Sequence, residues 1–521
     1  MGTSSGHTNA PRLSLAMIVR NEADVLARSL VSARQVADET VILDTGSTDQ
    51  TPRIAGDLGA RVIRGLWSDD FSAARNRLMQ EARGEWILWL DAGEQLTQDS
   101  VTGLRAFIER EADPGRAYML MIAVPPCDPK GSSQQALRTR LMPRLAGLRF
   151  TGRLRETLRP SLAGSGLGVG TAPGRIVRPA REHDRHRKAD RARRNLRLVE
   201  ISERSDGSLS AGLLVARGEA LSELGEQARA RQSFLEALDR ASAGSIEMLE
   251  AYYALLASFD GDTTRSDWPL LICMDALEAF SQDAQLLCAL GGHMQACDRL
   301  DLSARAFRTA AQSGRINPET WHLAEIRQIA AVCLSVSLEL QDRPDEARRG
   351  LEEALDLFTD SIRIRRRLID LCVKQSLPEK AVELVDRLPV SGELKDAARN
   401  AVRGACAAAR ADWTAALANL QSAYSAGYTD PFCLRWLTVT LLLNGQVESA
   451  RPVLAHWLRT EPGNVEARKY QEAIDERGRS KPPEPSSSDK GRHLRIDPAA
   501  VTPGRLPIPP RAASPADRSP D

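Results

Sequence analysis

The sequence predicts an α/β domain with a mostly parallel sheet, followed by an all-α solenoid of helical hairpins and a disordered tail. Three observations predict this. From Arg12 to about Leu158 short apolar runs alternate with amphipathic stretches, the mark of strands joined by crossover helices. From 210 to 477 the strand signals fade and an alanine-marked motif recurs. From 478 to 521 Pro, Ser and charged residues dominate, as in KPPEPSSSDK and PGRLPIPPRAASPADRSPD. The expected division is 1–11 disordered, 12–180 the α/β domain, 181–209 a basic helical linker, 210–477 the repeats and 478–521 a disordered tail.

Composition narrows the function. The 521 residues carry 70 Lys+Arg against 69 Asp+Glu, a net charge of +1, and nearly all the basic residues are arginine. Near-neutrality removes the electrostatic footprint of a nucleic-acid binder, and any basic patch has to be local. With 42% hydrophobic and 4% aromatic residues, rich in Ala, Leu, Arg and acids, the chain favours helix over sheet. No run approaches the roughly 18–20 apolar residues of a membrane span, and MGTSSGHTNAPR lacks the regions of a secretory signal, which predicts a cytoplasmic protein. The eight cysteines form no C-x-x-C pair and read as buried free thiols.

The α/β elements follow in order. LSLAMIV is a strand, Val25 to Val36 a helix, TVILD a strand, Thr51 to Gly59 a helix, RVIRG a strand, Phe71 to Arg83 a helix and WILWLD a strand. Ligands of such sheets bind outside the carboxyl ends of the strands. There the sequence sets Arg20-Asn21-Glu22, then Asp44-Thr45-Gly46-Ser47, then Asp91 with Glu94. Carboxylates at this edge suit divalent-metal and sugar-hydroxyl binding, although the same short polar runs serve as turns and helix caps. No P-loop, no G-x-G-x-x-G after the first strand and no G-x-S-x-G elbow is present.

The second half repeats an apolar helix end, a short turn and an alanine opening the next helix. Ala347, Ala381 and Ala415 are 34 apart and Ala450 falls 35 further on, the period of tetratricopeptide repeats. The segment around Ala304 fits the same unit, and Ser258 to Trp268 interrupts the register. About six or seven hairpins are expected, with a concave surface open to a protein partner.

Three blocks carry a family resemblance: LSLAMIVRNEADVLARSL, VILDTGSTDQTPRIAGDLGARVI and WSDDFSAARNRLMQEARGEWILWLDAGE. They resemble the family 2 glycosyltransferases of GT-A fold. The nearest likeness is the bacterial branch of lipopolysaccharide-core glucosyltransferases, sublancin-type peptide S-glycosyltransferases and relatives fused to tetratricopeptide repeats. The match runs from about Leu13 to Glu94, and Arg138 to Leu158 resembles a second family block. The resemblance implies that Val19, Arg20, Asn21 and Glu22 line a nucleotide pocket and that Asp44 bonds the base or ribose. It sets Arg75 and Asn76 beside the nucleotide, with Asp69 and Asp70 shaping that wall. Asp91 would open the D-x-D motif for ribose and metal, and Glu156 would be the acceptor-side base. Implied too is inverting transfer from a nucleotide-diphosphate sugar to a peptide, lipid-linked or cell-envelope saccharide acceptor, in the cytoplasm or at the inner face of the membrane.

The sequence departs from the family pattern in three places. D-A-D-[ED] reads Asp91-Ala92-Gly93-Glu94, Arg155 stands for the His of the His-Glu pair, and His-x-Gly-Tyr has become VRPAREH around Pro179. Three outcomes are open. Mg or Mn is held by Asp91 and Glu94 with water, His183 or His186. Alternatively, Arg155, within a run also holding Arg138, Arg140, Arg144, Arg149, Arg153 and Arg159, neutralises the leaving diphosphate instead of a metal. In the last, the domain is catalytically degenerate within a protein-binding scaffold. The basic stretch Arg175 to Arg194 reads as a solvated helix joining the domains, or as a contact with an anionic membrane or lipid-linked acceptor.

Overall fold

Residues 12–126, 131–179, 185–259 and 267–477 are described by the computed structural model. Alternate residues of the first apolar run bury on opposite sides, so both faces of the sheet are covered. Leu13, Leu15, Met17 and Val19 join one core with Leu26, Leu30, Leu104 and Phe107. Ala16 joins the other, with Val41, Leu78, Trp89, Phe150 and Leu158. The elements are β1 (Leu13–Val19), α1 (Leu26–Ala33), β2 (Glu39–Asp44), α2 (Thr51–Asp57), β3 (Arg61–Arg64), α3 (Phe71–Glu81), β4 (Trp86–Trp89), β5 (Gln95–Leu96), α4 (Gln98–Arg110), β6 (Arg116–Val124), β7 (Gln134–Pro143), α5 (Arg159–Gly164) and β8 (Gly168–Val177). The strand order is β3-β2-β1-β4-β7-β6-β8-β5.

β1, β2, β3 and β4 are parallel, as the alternation of strands and helices predicts. Beyond β4 the sheet is mixed: β7 runs antiparallel to β4 and β6, while β6 and β8 are parallel. Because β1, β2 and β4 run the same way, their carboxyl ends open at one edge, where Val19 stands opposite Asp44.

Helices fill the rest: α6 (Arg185–Asp206), α7 (Ala211–Glu223), α8 (Gln227–Arg240), α9 (Ile246–Ala257), α10 (Trp268–Ala279), α11 (Ala284–Ala296), α12 (Leu300–Ser313), α13 (Ile326–Leu340), α14 (Pro344–Leu357), α15 (Ile362–Lys374), α16 (Pro378–Asp386), α17 (Lys395–Ala409), α18 (Trp413–Ser425), α19 (Pro431–Leu443), α20 (Val447–Thr460) and α21 (Val465–Arg477). Between α12 and α13 the short strand β9 (His322–Leu323) pairs antiparallel with Gln134 and Gln135 of β7. This is a solenoid of tetratricopeptide type, and its period is visible in the backbone. Asp342, Ser376, Ala411 and Gly445 all sit in left-handed turns, with φ of 57, 57, 60 and 74°, spaced by 34 or 35 residues.

Hairpins close on small residues. A Cβ on Gly404 of α17 would lie 2.7 Å from Leu420 Cγ, 3.0 Å from the Leu420 amide nitrogen and 3.1 Å from the Ala416 carbonyl oxygen, all on α18. Alanine favours helix over glycine by about 1 kcal/mol, whereas overpacking against backbone costs about 1–3 kcal/mol. Gly404→Ala is therefore expected to destabilise the protein, read as a lower denaturant midpoint at unchanged slope.

The chain forms two compact units, one built from the described residues up to Ala289 with Arg315–Ile326, the other from Leu290–Gly314 and Arg327 onward. The sheet thus shares its unit with α6 to α10, which begin beyond residue 180. Among the described residues no helix is long and apolar enough to cross a membrane. Six cysteines are buried and Cys297 is exposed, while Cys127 lies outside the described residues. Burial pushes the Cys273 and Cys333 thiols up to about 12, which keeps them unreactive. Residues 1–11 and 478–521, both expected to be disordered, also lie outside the described residues, as does His183.

Candidate active site at the sheet edge

The loops after β1 and β2 are bonded to each other. Asn21, at φ 55°, donates its backbone N–H to Ser47 Oγ (3.0 Å), and its side-chain oxygen accepts from the Thr48 N–H (2.8 Å). The Glu22 N–H donates to Thr51 Oγ1 (2.8 Å). Asp44 Oδ1 accepts from the Ser47 N–H (3.0 Å) and hydroxyl (2.6 Å), so this carboxylate shapes the D-T-G-S turn. Val19 has its side chain in the core, and its carbonyl accepts from the Thr45 N–H (3.0 Å) at the end of β1. Arg20 is exposed and has no ion-pair partner among the described residues.

At the end of β4 two carboxylates and three guanidinium groups are linked. Glu94 is fully buried, and its Oε1 accepts from Arg140 (2.8 Å) and Arg178 (2.6 Å) while its Oε2 accepts from the Asp91 N–H (2.9 Å). Asp91 Oδ2 accepts from Arg140 (3.0 Å), and Arg178 lies 3.5 Å away. On the other side, Asp91 Oδ1 is 3.6 Å from Arg75. Arg75 of α3 stacks 4.1 Å above the Trp89 ring and donates its Nε–H to Glu156 Oε1 at 2.6 Å. The result is a continuous path Glu94, Arg140, Asp91, Arg75, Glu156. Burial pushes the Asp91 carboxyl up, but Arg140, then Arg75 and Arg178, outweigh it and hold Asp91 far below the usual carboxylate range.

Residues 14–116 match the family model described as glycosyl transferase family 2. They are a family 2 glycosyltransferase domain. A TPR repeat-containing protein of Synechococcus elongatus is 48% identical over 99 residues, 19% of this chain and 25% of that protein. An uncharacterized glycosyltransferase of Rickettsia bellii is 30% identical over 116 residues, 22% of this chain and 38% of that one. The prophage-derived glycosyltransferase SunS of Bacillus subtilis is 30% identical over 97 residues, 18% and 22% of the two chains. The chain thus spans well under half the length of these relatives. Of solved structures, a tetratricopeptide repeat protein from Parabacteroides merdae aligns with TM-score 0.36 at 12% identity, over 51% of this chain and 98% of that one. S. aureus TarS aligns with TM-score 0.27 at 14% identity, over 47% and 52%.

Several expected roles in the family 2 domain are taken over by structure. Asp70 caps α3, its Oδ1 accepting from the Ala73 N–H (2.9 Å) and Ser72 hydroxyl (2.7 Å). Asn76 clamps the backbone of Phe150, donating to its carbonyl (2.9 Å) and accepting from its N–H (2.7 Å). These two position Arg75 and the 150s loop. Arg155 needs the larger correction. Thr151 and Thr157 bridge the base of its loop, and Arg155 sits at φ 55°, which turns it away from its neighbour Glu156. Its guanidinium pairs with Glu219 of α7 (3.1 Å) and with Glu250 of α9. The arginines at Asp91 are Arg75, Arg140 and Arg178. Sequence reasoning noted Arg140 within a crowd and missed Arg178, whose signal was its place at the start of VRPAREH.

These residues do not fit a divalent-cation site. Both oxygens of Glu94 are committed, and the cations around Asp91 are already guanidinium groups, so Glu94 is a structural anchor and not the expected ligand. Gly93 adds no donor and has φ 93°, where L residues are strained, while its N–H donates to Ser29 Oγ (2.9 Å). Gly93→Asp, which rebuilds the family's second carboxylate, is expected to cost about 1–3 kcal/mol. Thermal melts with and without manganese check this, the expected result being a lower midpoint that the metal does not restore.

Proposed function

We propose that the family 2 domain transfers a sugar from a nucleotide-diphosphate donor to an acceptor with inversion, and that the helical hairpins recruit the acceptor or a protein partner. The observation that carries this is the linked set Asp91, Arg75 and Glu156 at the carboxyl edge of the parallel strands. The acceptor is a nucleophile on a peptide, a lipid-linked saccharide or an envelope saccharide, met in the cytoplasm or at the inner membrane face. Its proton passes to Glu156 as its lone pair bonds the anomeric carbon, and the bond to the diphosphate breaks on the opposite face with the electron pair leaving on the diphosphate. Arg75, Arg140 and Arg178 balance Asp91, Glu94 and Glu156, and their N–H dipoles face this end of the site as that charge develops.

The test is purified full-length chain offered a panel of nucleotide-diphosphate sugars, with binding and hydrolysis measured with magnesium, with manganese and with chelator. Hydrolysis that survives chelation supports the reading, and hydrolysis abolished by chelator rejects the guanidinium role. If no donor binds and Asp91→Ala changes nothing, the degenerate scaffold takes its place. That second reading is favoured by one observation, the engagement of Arg155 with Glu219 and Glu250 on α7 and α9.

A further inference from the structure

The basic linker helix is part of the site. Arg187, Arg191, Arg194 and Arg197 of α6 are spaced by four, three and three residues, which puts them on one helix face. Arg187 pairs with Asp24 in the loop after β1 (3.2 Å), and Arg197 pairs with Asp69 in the loop after β3. Arg191 lies 4.0 Å from Glu223 of α7. The helix is therefore pinned on two rims of the sheet edge, and Arg194 lies between the pins. Its guanidinium sits 5.0 Å from the centre of the Phe71 ring, and its hydrogen bonds go to its neighbour Asn195 (3.0 Å from Nη2). No carboxylate is within ion-pair distance of Arg194 among the described residues.

Arg194 is exposed, and the charged groups around it are Arg191, Glu156, Arg20 and Glu22. An arginine stays charged regardless, so a guanidinium without a carboxylate at this edge is open to an anion that it can grip through charge-assisted hydrogen bonds. The three arginines at Asp91 already hold carboxylates, whereas Arg194 and Arg20 hold none.

We infer that Arg194, with Arg20, is the binding site for the diphosphate of the nucleotide donor, and that α6 closes the donor site instead of merely joining two domains. The identity of the anion as a donor diphosphate rests on the proposed function; the site itself does not.

The experiment is calorimetric titration of the full chain with inorganic pyrophosphate, UDP and GDP. Arg194→Ala is expected to weaken pyrophosphate and whichever nucleotide binds by roughly tenfold or more, the loss of a charge-assisted hydrogen bond, with Arg194→Lys intermediate. Arg194→Gln keeps most of the side-chain volume if the alanine variant is poorly folded. Arg204→Ala, on the same helix and exposed, is expected to bind as the unsubstituted chain does. Unchanged pyrophosphate affinity in both Arg194→Ala and Arg194→Gln, or no pyrophosphate binding by the unsubstituted chain, overturns the inference. Arg194-dependent pyrophosphate binding without turnover of any sugar donor leaves the anion site standing and removes the transferase reading. Turnover indifferent to Arg194 does the reverse.

Discussion

Glu156→Gln is expected to lower turnover by about 100- to 10,000-fold, the range a positioned general base supplies, with nucleotide affinity almost unchanged. The glutamine carbonyl still accepts the Arg75 Nε–H that now reaches Glu156 at 2.6 Å, so the stacking of Arg75 on Trp89 survives and only the proton acceptor is lost. Separate measurement of kcat and of nucleoside diphosphate Kd distinguishes the two roles of this carboxylate. A variant with full kcat reduces Glu156 to an anchor for Arg75.

The second large effect is on stability. Arg140 bonds both Asp91 and the fully buried Glu94, so Arg140→Met is expected to cost about 3–5 kcal/mol, as when one partner of a buried ion pair is removed. Arg178 and the Asp91 N–H still bond Glu94, so the cost lies in the weaker compensation of Glu94 and Asp91, and Glu94→Leu/Arg140→Met is expected to recover part of it. If the double variant is no more stable than the single one, the loss comes from packing and not from charge. Acid titration adds a sign. The native Asp91 pKa lies below its unfolded value, so its stabilisation is complete above about pH 4 and is lost as pH falls toward the native value. Arg140→Met removes the strongest counter-charge and is expected to flatten that acid limb.

The parallel strands were legible because LSLAMIV and WILWLD are apolar on both faces, which only a covered sheet accepts. The repeat was legible because its alanines keep the same 34-residue period as the left-handed turns. The site was legible as a neighbourhood. Asp91, Arg75 and Glu156 do converge, while Asp44 Oδ1, Asp70 Oδ1 and the Asn76 amide make a turn, a cap and a clamp. Arg155 was misplaced because its direction depends on one backbone angle and on Glu219 and Glu250, far along the chain. The role of α6 was hidden for the same reason: a helix face gains meaning only from the loops it crosses, and Asp24 and Asp69 are distant in sequence.

The pairing of His322 with Gln135 also sets an order of events. The sheet that holds Asp91 is not complete until residue 323 has left the ribosome, 146 residues after the last residue of β8. At ordinary synthesis rates that is a wait of roughly 7–30 s, during which the end of β7 lacks its partner and Arg159 lacks Glu319. A nascent chain therefore makes the parallel strands and their carboxyl edge early and finishes its sheet late, only after the seven helices α6 to α12 have been translated.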